Sequence, residues 1–165
     1  MKNVKTKDLV TAALLAALSM LIPNVFPTLP FGPFTATFAS HVPVFVAMFV
    51  SPWVAAAAGL GSMLGFFLKG VEIYIVARAA MHIFVGIAGA FLIKKNFNVI
   101  LVGALTLILH ALLETVAVVP FLNIIKVNPT YAWYQLIICG TAIHHVIDYI
   151  IAYFVVLGLK RAKAI

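Results

Sequence analysis

The amino-acid sequence predicts an all-α integral membrane protein with six transmembrane helices and both termini in the cytoplasm. Three observations carry that expectation. Hydrophobic residues make up 65% of the 165-residue chain and charged residues 9%, with a mean hydropathy of +1.18. A water-soluble domain of this size has too little interior to hide so much apolar surface. The apolar residues also fall into runs long enough for helical spans, separated by proline, glycine and charged breaks. Basic residues, finally, are shared unequally between alternate loops. The chain reads as one domain over residues 1–165, a multi-pass protein of the cell membrane.

The first segment, about 8–22, follows the basic stretch MKNVKTKDLV and is expected to end at Pro23. A basic start before an apolar run superficially resembles a signal peptide. LIPNVFPTLPFGP follows in place of a small-residue cleavage site, however, so a retained helix is expected. The loop PNVFPTLPFGPFTATFAS is rich in proline, glycine and aromatics. Residues 40–68 then stay apolar for longer than one span requires. SPW at 51–53 divides them, because Ser51 suits an N-cap and Pro52 the first turn of a new helix. Segments 2 and 3 are therefore about 38–50 and 52–68. LKGVE separates segment 4, about 72–93, which stops at Lys94 and Lys95. Segment 5 covers about 98–122, and NIIKVNPT leads to segment 6, about 132–158.

Placing the N-terminus inside puts Lys2, Lys5, Lys7, Lys94, Lys95, Lys160, Arg161 and Lys163 in the cytoplasm. Only Lys69 and Lys126 then lie outside, with Arg78 inside a span. That asymmetry sets the orientation. Anionic inner-leaflet lipids account for the net charge of +7, and no nucleic-acid partner is needed.

Orientation gives depth to the ionisable groups within the spans. Segment 4 descends from outside, so Arg78 lies in its outer half and His82 one turn deeper. His110 and Glu114, four apart on one face of segment 5, fall near the middle and outer half. His144, His145 and Asp148 lie near the middle of segment 6, and His41 stands at the outer mouth of segment 2. Three helices thus bring polar groups to one level. Charged residues inside membranes usually line a cavity or pathway. Two blander readings stand beside that one. Arg78 could snorkel to the outer headgroups, and the His–carboxylate pairs could be interhelical hydrogen bonds that only fix packing.

Several chemistries find little support. Cys139 is the only cysteine, so it forms no internal disulfide or thiolate cluster. His110 with Glu114, and His144 with Asp148, could ligate an ion. No HExxH, CxxC or HxH pattern accompanies them, and neither a metal nor a cofactor is expected. No serine sits in a nucleophile elbow, Ser40-His41 being adjacent in sequence only. GLGSMLG at 59–65 lacks the lysine of a phosphate-binding loop. The chain is not expected to be an enzyme or to hydrolyse ATP.

TAALLAALSM places Ala12 and Ala16, and Ala13 and Ala17, at spacings of four. Small residues one turn apart let another helix approach closely, whether from a partner or from the same chain. The basic tail, the AxxxA helix, the long aromatic first loop and six short spans together resemble the substrate-binding S components of energy-coupling factor (ECF) vitamin transporters. FTATFASHVPVFVAMFVSPW and RAAMHIFVGIAGAFLIKK look most like the niacin branch. The resemblance covers essentially the whole chain. It implies a non-catalytic subunit that captures a vitamin from outside and docks on a membrane scaffold subunit carrying two cytoplasmic ATPases. Docking would use Ala12, Ala13, Ala16 and Ala17, and the substrate site would lie in the outer half, where the polar cluster falls.

Arg78 is the one permanent cation within a span, and its guanidinium suits a carboxylate. Tyr74, Tyr131, Trp133 and Tyr134 could stack on a flat ring or serve as interface aromatics. Nicotinate would use both features. Pantothenate would use only the cation, and pyridoxine or a hydroxymethylpyrimidine would need Glu114 or Asp148 to neutralise Arg78. Candidate binding residues are therefore Arg78, His82, His110, Glu114, His144, Asp148, His41, Tyr74 and Trp133. The rival function is a proton-coupled secondary transporter using His110, Glu114 and Asp148 as a relay.

Overall fold

The computed structural model describes residues 6–31, 34–126, 128, 130 and 140–165. Its elements in order are α1 (Thr6–Val25), β1 (Thr28–Phe31), β2 (Phe34–Thr37), α2 (Val42–Met48), α3 (Pro52–Leu68), α4 (Ile73–Ala80) and α5 (His82–Lys94). They continue with α6 (Val99–Val118), a 3-10 turn (Val119–Phe121), α7 (Leu122–Ile125) and α8 (Ile143–Arg161). Four stretches are long and apolar enough to cross a membrane: Thr6–Val25, Ile73–Lys94, Val99–Ile125 and Gly140–Arg161. The 17-residue α3 and the 7-residue α2 are shorter than a full span.

The division at Ser51-Pro52 appears as expected. Ser51 Oγ accepts a hydrogen bond from the Val54 amide at 3.3 Å and Pro52 opens α3. Two boundaries differ from expectation. Pro23 lies inside α1, which continues to Val25, because the end of the helix is held from outside it. Lys69, just past α3, donates to the Pro23 carbonyl, to Thr28 Oγ1 at 2.6 Å and to the Phe26 carbonyl at 3.3 Å. Asn24 Nδ2 donates to Gly65 O at 3.1 Å. The Lys69 ammonium serves the C-terminal end of α1, where carbonyls lack helical partners and a cation is favoured, and Asn24 ties that end to α3. The first loop, moreover, is not wholly irregular. It folds into an antiparallel hairpin in which Thr28 pairs with Thr37 and Phe31 with Phe34, the one sheet among the described residues of a mostly helical fold.

Segment 4 is broken at Met81, between α4 and α5. The break leaves Arg78 in the last turn of α4 and His82 in the first of α5.

α2 sits at the centre. Val44, Phe45, Val46, Ala47 and Met48 are each no more than 2% exposed, the all-round apolar pattern of a buried helix. α3 packs beside it and is approached closely on two sides. A Cβ on Gly59 would lie 2.6 Å from the Ile83 backbone of α5, and one on Gly65 would lie 2.5 Å from the Met20 carbonyl of α1. Small residues let these helices meet backbone to backbone, without the side-chain layer a soluble bundle would use. On the outside, Leu101, Leu105, Ile108, Leu112 and Val116 form an exposed apolar face along α6, suited to lipid.

The alanine strip of α1 divides between two faces. Ala12 is buried and the Ala16 backbone meets Gly61 of α3, whereas Ala13 and Ala17 are exposed.

Candidate binding site

The site grows from five elements that bring polar groups to one level. On α6, Val102, Thr106, His110, Glu114 and Val118 are buried at a spacing of four, one helical face that is apolar at its ends and polar in the middle. On α8, His145, Asp148, Ala152 and Val156 are buried in the same fashion. His41 precedes α2, and Arg78 and His82 flank the Met81 break. The five groups His41, Arg78, His82, Glu114 and Asp148 are each no more than 5% exposed. Arg78 therefore does not snorkel to the surface.

Two carboxylates anchor the cluster. Glu114 Oε2 accepts from Arg78 Nη2 at 3.0 Å and from Thr141 Oγ1 at 2.6 Å. Its Oε1 lies 3.6 Å from His82 Nε2 and 3.5 Å from His110 Nε2. Asp148 Oδ2 accepts from the His41 amide at 3.1 Å and from His41 Nδ1 at 2.9 Å, with His144 Nε2 at 3.1 Å. The imidazoles connect the two carboxylates. His41 Nε2 and His82 Nε2 are 3.0 Å apart, and His82 Nδ1 is 3.0 Å from Ser62 Oγ. His110 Nδ1 is 3.0 Å from His145 Nδ1. Because His41 donates through Nδ1, its Nε2 can accept from His82 Nε2–H, and Ser62 then donates to His82 Nδ1.

Pairing is incomplete. Arg78 Nε and Nη1, His110 Nε2 and Asp148 Oδ1 are buried and make no hydrogen bond among the described residues. Buried polar atoms are normally satisfied, so orphaned ones in one cluster mark a place built to meet something else. Of these residues Arg78 lines a cavity of about 20 Å³, together with Thr35, Thr37, His41, His82 and Glu114, among others, room for roughly one water. The hairpin closes it: Thr35 and Thr37 form part of its wall, and the Phe34 ring lies 4.7 Å from Arg78 Cζ, a cation–π contact. A ring-sized ligand therefore needs the hairpin to lift or the side chains to part.

Of the residues singled out from sequence, His41, Arg78, His82, His110, Glu114, His144 and Asp148 come together here. Tyr74 does not join them. It is half-buried beside Phe66, Ile75, Val76 and Ala79, one helical turn before Arg78 on α4 and outside the cavity lining. Trp133 lies outside the described residues, as do Tyr131, Tyr134 and Cys139. Phe34, Thr141 and Ser62 were missed as site residues. Nothing local in the sequence distinguishes these three.

The niacin transporter NiaX of Lactococcus lactis subsp. cremoris is 36% identical to this chain over 163 residues, covering 92% of this chain and 73% of the relative. This chain belongs to the NiaX family, the niacin branch of the ECF S components. No family model matches the sequence, and no solved structure does. As a NiaX-family member it is a multi-pass plasma-membrane protein of vitamin uptake. The family is one of transporters, not enzymes.

Proposed function

We propose that the chain is the high-affinity capture subunit for nicotinate, working with an ECF scaffold subunit and two cytoplasmic ATPases. One observation carries the substrate reading: Arg78 is buried beside the cavity with Nε and Nη1 unpartnered among the described residues. A guanidinium with donors to spare in a dry site is suited to a carboxylate, and the NiaX relationship supports a pyridine carboxylate in particular. Phe34 and Phe66 border the same space and offer faces to an aromatic ring. Six spans, with both termini cytoplasmic, remain the topology that the lysine and arginine distribution favours. The short α2 and α3 then count as the second and third.

Calorimetric titration of the purified protein with nicotinate and nicotinamide tests the substrate. Saturable binding of nicotinate, with nicotinamide at least ten-fold weaker, is expected. Equal affinity for the two would remove the carboxylate from recognition.

Docking on the scaffold is assigned to the exposed half of the alanine strip, Ala13 and Ala17. Ala17→Trp is expected to abolish cellular uptake of labelled nicotinate and leave its affinity in detergent unchanged. Ala16 is a poor probe, since its backbone abuts Gly61. If Ala17→Trp transports normally, the docking face lies elsewhere.

The hydrogen-bonded run Asp148–His41–His82–Ser62 is the feature that favours the rival reading, a proton relay. A relay demands uptake that an uncoupler abolishes in cells lacking the ATPase partners.

A further inference from the structure

We propose that His41, His82, His110 and Glu114 form a binding site for one divalent transition ion of the zinc class, within the substrate pocket. This departs from the expectation of no metal, which rested on the absence of local ligand motifs. The four donors come from three separate regions of the chain, so no short motif could reveal them. One ligand atom from each lies within 4.8 Å of all the others. A tetrahedral ion with bonds of about 2.0–2.1 Å holds its ligands roughly 3.3 Å apart. Here His41 Nε2 and His82 Nε2 are separated by 3.0 Å, His82 Nε2 and Glu114 Oε1 by 3.6 Å, and His110 Nε2 and Glu114 Oε1 by 3.5 Å.

Three further features point to an ion. His110 Nε2 is buried and without a hydrogen bond among the described residues, although the ring is 0% exposed. Each imidazole presents Nε2 to the common centre and has its Nδ1 held by a partner: Asp148 for His41, Ser62 for His82 and His145 for His110. That outer ring of hydrogen bonds is how metal-binding histidines are oriented. With an ion present, Ser62 accepts from His82 Nδ1–H, a reversal its hydroxyl allows. Glu114 is likewise held from behind, by Arg78 and Thr141.

The third feature is charge. With neutral imidazoles, the cluster holds one cation, Arg78, against two carboxylates, Glu114 and Asp148. A buried site with that negative excess opposes a carboxylate ligand. A divalent ion reverses the excess to a single positive charge, which a monoanion neutralises. This part rests on the nicotinate reading above; the ligand geometry does not.

The test uses the full chain, purified in detergent and stripped with a chelator, and titrated with Co2+. Saturable binding of one ion per chain, with the intense visible d–d absorption of a tetrahedral site and displacement by Zn2+, is expected. His110→Ala and Glu114→Gln should lose that absorption. His144→Ala should keep it, because His144 belongs instead to the neighbouring group with His41 and Asp148. Thermal unfolding of each variant shows which are folded. If the variants fail to fold, the wild type decides alone: no saturable Co2+ absorption overturns the site, as does retention in folded His110→Ala. Nicotinate titration in chelated and Zn2+-loaded protein separates the two proposals. Affinity at least ten-fold weaker after chelation is expected. Tight nicotinate binding indifferent to the ion overturns its part in recognition but leaves the nicotinate reading standing. Co2+ binding without any nicotinate binding does the converse.

Discussion

Arg78→Ala is expected to weaken nicotinate binding by about 2–5 kcal/mol, the scale of removing one partner from a buried, hydrogen-bonded charge pair. Two losses combine in that figure. The guanidinium no longer meets the ligand carboxylate, and Glu114, 3% exposed, loses its only full cation among the described residues. An uncompensated buried carboxylate also destabilises the fold, on the order of 3–5 kcal/mol for a broken buried pair. Calorimetry and thermal unfolding should therefore be run on the same preparation. The double substitution Arg78→Ala with Glu114→Gln, compared with Glu114→Gln alone, separates the two effects. It removes the stranded charge and should recover much of the stability while leaving nicotinate binding weak. Should the double variant bind nicotinate as tightly as wild type, Arg78 serves only to neutralise Glu114. Unchanged affinity in a folded Arg78→Ala protein would remove Arg78 from recognition altogether.

Gly61→Val should be the most damaging single change to the fold. A Cβ at Gly61 would lie 2.9 Å from the Ala16 Cα and carbonyl carbon, and backbone atoms cannot swing aside as a side chain can. Relief requires α1 to move off α3, which breaks the Gly65–Met20 approach and the Asn24 and Lys69 contacts one turn further on. Overpacking typically costs about 1–3 kcal/mol, and more where the backbone has to shift. A large fall in melting temperature, or no folded monomer on size exclusion, is expected. Gly158→Ala is the control: nothing lies within 4 Å of its Cβ position on α8, so stability should hold or rise slightly through helix propensity. Equal melting of wild type and Gly61→Val would refute the close approach of the two helices.

Much of this protein was legible before any coordinates. Hydropathy and breaks marked the helical segments because a span must satisfy its backbone internally and cover itself with apolar side chains, and both demands are local. Ser51-Pro52 was readable for a similar reason, a cap and a proline acting on the helix that contains them. That His41, Arg78, His82, His110, Glu114, His144 and Asp148 fall at one level along neighbouring helices was legible from counting turns. Pro23 misled because proline is a local signal, and the ammonium that holds the end of α1 beyond it sits on Lys69, far along the chain. Tyr74 shares a helical face with Arg78, yet one turn along α4 is enough to set it among Phe66, Ile75, Val76 and Ala79 and off the cavity wall.

What the sequence settles is what a single helix can settle: where it begins and which residues it carries. The tertiary structure decides which atoms face one another. Arg78 chooses Glu114 across 36 positions, His41 reaches Asp148 across 107, and three Nε2 atoms from different regions meet near one carboxylate oxygen. The two halves of the alanine strip part company in the same way, Ala12 and Ala16 turned to α3, Ala13 and Ala17 outward. The reason is rotation. A helix in lipid is free to turn about its axis at little cost in apolar burial, and only close packing against its neighbours selects one face.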